Sequence, residues 1–154
     1  VAIACLLHID SALSTHGRTL ATSTTADPGT STGVPAAEGG YEMAMITDKG
    51  NIDDKSFNQG TWEGVQMYAE ANGKTCQYYK PTEVSDDAYL AAIDLAIQGG
   101  AKIVVTPGYL FANAIGAAQV KYPEVYFVLI DSDPAPDGPA ENSVGTTYAE
   151  EQAG

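Results

Sequence analysis

From Tyr41 onward the chain alternates short apolar runs with amphipathic ones. YEMAMIT (41–47) predicts a strand. Ser56 to about Asn72 predicts a helix, with Asp54 or Ser56 as cap, Phe57, Val65, Tyr68 and Ala69 as its apolar face, and Asn72-Gly73 as its stop. TCQYYK (75–80) predicts a second strand. DDAYLAAIDLAIQGG predicts a second helix, capped by Ser85 or Asp86, carrying Leu90, Ile93, Ala96 and Ile97 on one face and closed by Gly99-Gly100. KIVVT is a short β-branched strand, and LFANAIGAAQVKYP a third helix that ends before Pro123. VYFVLID (125–131) is almost continuously apolar, the pattern of a strand buried on both faces of a parallel sheet. SVGTTY (143–148) is a fifth strand. The order βαβαβαββ with short connections predicts an α/β fold with a doubly wound, mostly parallel sheet over residues 41–154.

Residues 1–40 follow no such pattern. VAIACLL is a short apolar run, followed by a Ser/Thr/Gly/Ala/Pro-rich stretch over about 13–40. That composition buries too little surface to offset its ordering entropy and reads as a disordered linker behind the remnant of an export signal. Ala4-Cys5 has the small-residue-then-cysteine form of a lipid-anchor site, with Ala2 where Leu is usual and apolar residues after Cys5. Cys5 is thus a candidate lipid anchor.

Charge narrows the chemistry. The 154 residues carry a net charge of −13, and the few Lys and Arg do not cluster. Such a surface repels phosphate backbones and anionic headgroups, so no nucleic-acid partner is expected. The two cysteines, Cys5 and Cys76, are too few for a disulfide framework, and both histidines, His8 and His16, precede the folded part. On that ground structural zinc is not expected, and much acid–base chemistry lacks its usual His base.

In an open α/β sheet ligands bind beyond the carboxyl ends of the strands, near the switch point. Three predicted strand ends carry fitting residues: Asp48 after the first, Gly108 after the third and Asp131 after the fourth. Gly108 lets a ligand approach the backbone. The acidic stretch TDKGNIDDKSFNQGTWEGV (47–65) matches no EF-hand register, and DKGNIDD lacks most of a DxDPGxDD calcium cluster. A phosphoryl receiver needs an Asp after the third strand and a Lys after the fifth, and neither is present. No Walker loop or GxSxG elbow occurs. No metal or cofactor is expected. Phe57 and Asn58 place a flat ring beside an amide at a helix start. A ring for stacking and carboxylates for hydroxyls is the chemistry of a nucleoside or sugar pocket.

ITDKGNIDDKSFNQGTWEGV resembles the signature of the basic membrane protein family of substrate-binding lipoproteins, which includes purine-nucleoside receptors of ABC transporters. TPGYLFANAI, YPEVYFVLID and NSVGTTYAEEQAG continue the resemblance over 41–154. It implies a type I periplasmic-binding fold of two lobes, of which 41–154 is the first, and a non-enzymatic role. It also implies an extracytoplasmic location, periplasmic or as a membrane-anchored lipoprotein. Asp48 and Asp131 would hold ribose or base polar groups, Phe57 would stack on the base, and Asn58 and Gly108-Tyr109 would line the wall. The partner would be an ABC permease. Without the second lobe, weak binding and exposed apolar faces are expected. The alternatives are a nucleoside-hydrolase-like enzyme and the sensory domain of a regulator.

Overall fold

The computed structural model describes residues 41–149 and Gln152. The linker, the signal remnant and Cys5 lie outside the described residues.

The strands are β1 (Met43–Ile46), β2 (Cys76–Tyr79), β3 (Ile103–Pro107), β4 (Tyr126–Ile130) and β5 (Ser143–Thr146), and the helices α1 (Phe57–Ala71), α2 (Asp86–Gln98) and α3 (Ala112–Lys121). A 3-10 turn, Tyr109–Phe111, leads into α3. All five strands are parallel, in the order β2-β1-β3-β4-β5. The chain steps from β1 outward to β2 and then back across β1 to β3. This reversal is the switch point of a doubly wound sheet, and the α/β expectation holds in element order and type.

Local chemistry sets the helix ends. Ser85 Oγ accepts the Ala88 N–H (3.2 Å), and Asp86 and Asp87 place negative charge at the positive end of α2. At α1 the preceding Ser56 gives no side-chain cap. Asp54 does that work instead, accepting the N–H groups of Ser56 (2.8 Å), Gln59 (3.2 Å) and Asn58 (3.3 Å).

The two faces of the sheet are covered unequally. On one, α2 and α3 bury Ala44, Ile46, Val104, Phe127 and Leu129, with the Tyr89 and Phe111 rings tilted together at 4.3 Å. Tyr89, 1% exposed, is the largest residue buried there, whereas the predicted Leu90 and Ile97 are only partly buried. On the other face α1 alone lies over β1, β2 and β3, burying Met43, Met45, Val65, Ala69, Cys76 and Val105. No described element covers β4 and β5 on that side. β4 is therefore buried on one face only: Phe127 and Leu129 are enclosed, Val128 and Ile130 are half-buried and Tyr126 is exposed. Its apolar sequence reflects a face without a cover here. Phe57 and Tyr68, expected on the buried side of α1, are likewise exposed.

Candidate functional site

The carboxyl rim of the sheet brings three of the sequence-predicted residues onto one line. Met45 pairs with Val105 and Pro107 with Ile130. Continuing these registers sets Asp48 beside Gly108 and Gly108 beside Asp131, on three adjacent strands. Two strand spacings separate the carboxylate-bearing positions by about 10 Å. Gly108, between them, has φ +92° and ψ 158°, a conformation that side chains rarely adopt, and open space where a Cβ would stand. Its N–H still donates to Ile130 O (2.8 Å), so the ladder runs up to the rim. Asp131 turns the chain away from β4 at φ +64°. Both aspartates are half-buried.

The loop from Asp48 to Asn58 is tied into a closed set of bonds. Asn58 Nδ2 donates to Asp48 Oδ1 (2.7 Å) and to Asp54 Oδ2 (2.9 Å), and Asn58 Oδ1 accepts the Asp48 N–H (3.1 Å). Gly50 N–H also donates to Asp48 Oδ1 (2.7 Å). Asn58 is 1% exposed, so its amide faces the loop interior and not an open wall. The two carboxylates are bridged by an amide, and among the described residues no group of three His, Cys, Asp or Glu side chains could hold a metal.

Around this rim stand exposed aromatic rings. Phe57 is 44% exposed at the start of α1 and Tyr109 is 70% exposed beside Gly108. Phe57 borders a hollow of about 420 Å³ shared with Ser56, Gly60, Thr61, Ile130 and Tyr148. Tyr109 is not among the residues lining that hollow, so it and Phe57 stand at separate places on the rim. A larger hollow of about 600 Å³ lies on the same side of the sheet, bounded by Met43, Val65, Tyr68, Tyr126, Val128 and Val144. It is the uncovered, mainly apolar sheet surface, with Thr61, Glu141, Asn142 and Ser143 also in its lining.

Thr47 Oγ1, at the end of β1, and Tyr89 Oη are buried hydroxyls without a hydrogen-bond partner among the described residues. Burial, with the charges of Asp48 and Asp86 nearby, raises the Tyr89 phenol above its ordinary pKa, so it stays a neutral donor. Burial pushes the Asp54 carboxyl up, but the N–H groups of Gln59, Ser56 and Asn58 and the Asn58 amide outweigh it and hold Asp54 below the usual carboxylate value. Burial alone raises the Cys76 thiol, which is a core residue and not a nucleophile.

Asp54, a cap candidate from the sequence, does cap α1; sequence reasoning missed its hold on the Asn58 amide, and missed Tyr148 at the hollow and the buried Tyr89. Asp54 stood four residues before Asn58, a spacing that signals a local cap. Nothing local marks Tyr148, which reaches the hollow only because β5 lies beside β4.

The parallel, doubly wound sheet in the order β2-β1-β3-β4-β5 is that of a lobe of the periplasmic-binding fold. Residues 41–154 match the family described as ABC transporter substrate-binding protein, PnrA-like, and the chain belongs to that family, which is not a class of enzymes. The ABC transporter nucleoside-binding protein BmpA of Lactococcus lactis is 33% identical over 95 residues, 59% of this chain and 26% of that protein. The CD4+ T-cell-stimulating antigen of Listeria monocytogenes is 31% identical over 94 residues, with the same coverage. Basic membrane protein A of Borreliella burgdorferi is 29% identical over 107 residues, 70% of this chain and 30% of that protein. The chain thus spans between a quarter and a third of the length of these relatives. In structure it is similar to an ABC transporter solute-binding protein from Aeropyrum pernix K1 (TM-score 0.61, 24% identity, 71% of this chain and 29% of that one). A second from Conexibacter woesei gives a TM-score of 0.58 at 21% identity, covering 69% and 35%. These two likenesses show the fold. No helix among the described residues is long and apolar enough to cross a membrane.

Proposed function

We propose that this chain contributes one wall of the ligand cleft of an extracytoplasmic receptor that delivers a purine nucleoside to an ABC permease. The observation that carries the reading is the alignment of Asp48, Gly108 and Asp131 at the ends of three neighbouring strands, with Phe57 exposed at the start of α1 on a hollow that reaches Ile130, the residue before Asp131. Ionised carboxylates accept hydrogen bonds and donate none, so they suit ribose hydroxyls and base N–H groups. Their charge, within a chain of net −13, works against a phosphorylated ligand and favours the nucleoside over the nucleotide. The exposed Phe57 ring offers a face for a purine. The nucleoside-binding name of the Lactococcus relative supports the same choice. Export and a lipid anchor at Cys5 fit such a receptor, because it must meet its ligand outside the membrane. Calorimetric titration with inosine, guanosine, adenosine, inosine monophosphate and free ribose tests the proposal. Heat is expected from nucleosides and not from the monophosphate. Binding of ribose or another sugar with no heat from any nucleoside would overturn it.

A further inference from the structure

The Asp48 carboxylate is held in one orientation. Its Oδ1 accepts from Gly50 N–H and from Asn58 Nδ2, both at 2.7 Å, which fills that oxygen. Its Oδ2 has no hydrogen-bond partner among the described residues. Asn58 has no donor left for anything else: one amide hydrogen goes to Asp48 and the other to Asp54, while its Oδ1 takes the Asp48 N–H. Asn58 therefore grips Asp48 at both backbone and carboxylate. Asp54 fastens the far side of Asn58 to the first turn of α1 through the N–H groups of Ser56, Asn58 and Gln59. A Cβ on Gly50 would stand 2.5 Å from Asn58 Nδ2, so the loop closes over the amide only with glycine there.

We propose that Asn58, anchored by Asp54, is a positioning residue that turns Asp48 so that Oδ2 alone meets the ligand, which restricts that contact to a hydrogen-bond donor such as a hydroxyl or an N–H. The proposal rests on the reading of the rim as the ligand site and deepens it. Two facing carboxylates need a neutral group with two hydrogens on one atom between them. The Asn amide supplies these without adding charge, whereas Asp at this position adds a third negative charge and removes both donors. A residue that only capped the helix would have no reason to reach Asp48.

Inosine is the probe in calorimetry on Asp48→Ala, Asn58→Ala, Asn58→Asp and the double variant Asp48→Ala/Asn58→Ala, each checked for folding by circular dichroism. Each single change is expected to weaken inosine by about tenfold to a hundredfold, the loss of one hydrogen bond to a charged group. The double variant should bind no more weakly than the worse single one, because Asn58 acts through Asp48. A folded Asn58→Ala that binds like the parent overturns the proposal, and so do losses that add independently. A second measurement needs no ligand. In the NMR spectrum of the free parent protein both Asn58 side-chain amide protons should exchange slowly, and Asp48→Ala and Asp54→Ala should each release one of them. Two freely exchanging protons overturn the hold on Asp48. If the parent gives no heat with inosine, the nucleoside reading fails, and the exchange measurement alone decides whether Asp48 is held.

Discussion

The two faces of this sheet lie one backbone thickness apart and are stabilised in different ways. On the α2/α3 side, small residues let two helices sit close: Ala92, Ala96, Ala114 and Ala118 are buried against Ile93, Ile115 and Phe127. On the α1 side a single helix covers three strands, and Val128, Ile130 and Val144 meet a broad hollow. The first face carries stability. The second face and the rim above it carry exposed apolar and aromatic surface that suits contact with something else. The difference teaches that a strand's sequence reports what it is made to bury, while the helices present decide what it does bury.

The largest expected effect comes from adjacent residues on opposite faces of β4. Phe127 is 1% exposed and Tyr126 is 62% exposed. Phe127→Ala should cost about 3–5 kcal/mol by loss of buried surface plus the cavity left behind. Tyr126→Ala should stay within about 0.5 kcal/mol, as surface changes usually do. Urea denaturation of both variants measures the contrast, and similar costs for the two would show that the faces do not differ as described.

Gly108 belongs to neither face. At φ +92° with open space around the missing Cβ, Gly108→Ala meets backbone strain without a clash. A cost of about 1–3 kcal/mol is expected, read as a lower denaturation midpoint at an unchanged slope. No destabilisation would mean that the rim relaxes easily at this point, and Gly108 would then be no fixed part of it.

Much of this was legible in the sequence. Ser85, Gly99-Gly100 and the β-branched run before Thr106 mark α2 and β3, because caps, stops and strand preference are local properties. Asp48, Gly108 and Asp131 were found through strand ends, since a parallel sheet sends all its carboxyl ends to one edge. The sequence places Phe57 both on the apolar face of α1 and as a ring for a ligand, and Asn58 on the wall beside it. In the structure the amide is inside and the ring outside, because the carboxylates of Asp48 and Asp54, six residues of loop apart, share that amide between them. Tyr89 over Leu90, and the open side of β4, were equally hidden, because they depend on which helix reaches which strand. Residue hydrophobicity does not record that.

The closed face is also stapled at its edge. Asn142 Nδ2, just before β5, lies within 3.0–3.1 Å of the carbonyls of Gln119 in the last turn of α3, Tyr122 just after it and Val125 just before β4. The Gln119 carbonyl is one of those that a helix end leaves without an intrahelical partner. Asn142→Ala should cost about 1–2 kcal/mol, less than Phe127→Ala, and should raise amide exchange in β5 and the end of α3 while leaving α1 unchanged. Equal loosening of α1 would show that the two faces unfold as one unit and would remove the distinction at that level.

The smallest effect should come from the clamp between the two helices of the closed face. Asp94 on α2 accepts from Lys121 Nζ (2.8 Å) and from Tyr122 Oη (2.8 Å) at the end of α3. Burial pushes the Asp94 carboxyl up, but the bonds from Lys121 and Tyr122 and the Lys121 charge bring it below its ordinary 3.8. The same bonds from Asp94 and Tyr122 raise Lys121 above its ordinary 10.5. A depressed carboxylate stabilises the fold above 3.8 and loses that contribution as pH falls through its lower folded value. A raised ammonium stabilises below 10.5 and loses it as pH rises through its higher folded value. Asp94→Asn should therefore lower the melting temperature slightly near neutral pH, with the gap from the parent closing at both extremes. The gap should also narrow with added salt, since Lys121 reaches solvent. A gap that is flat across pH would assign the clamp to the Tyr122 hydrogen bond and packing. The closed face would then owe its cohesion to the alanine contacts of α2 and α3, without help from charge.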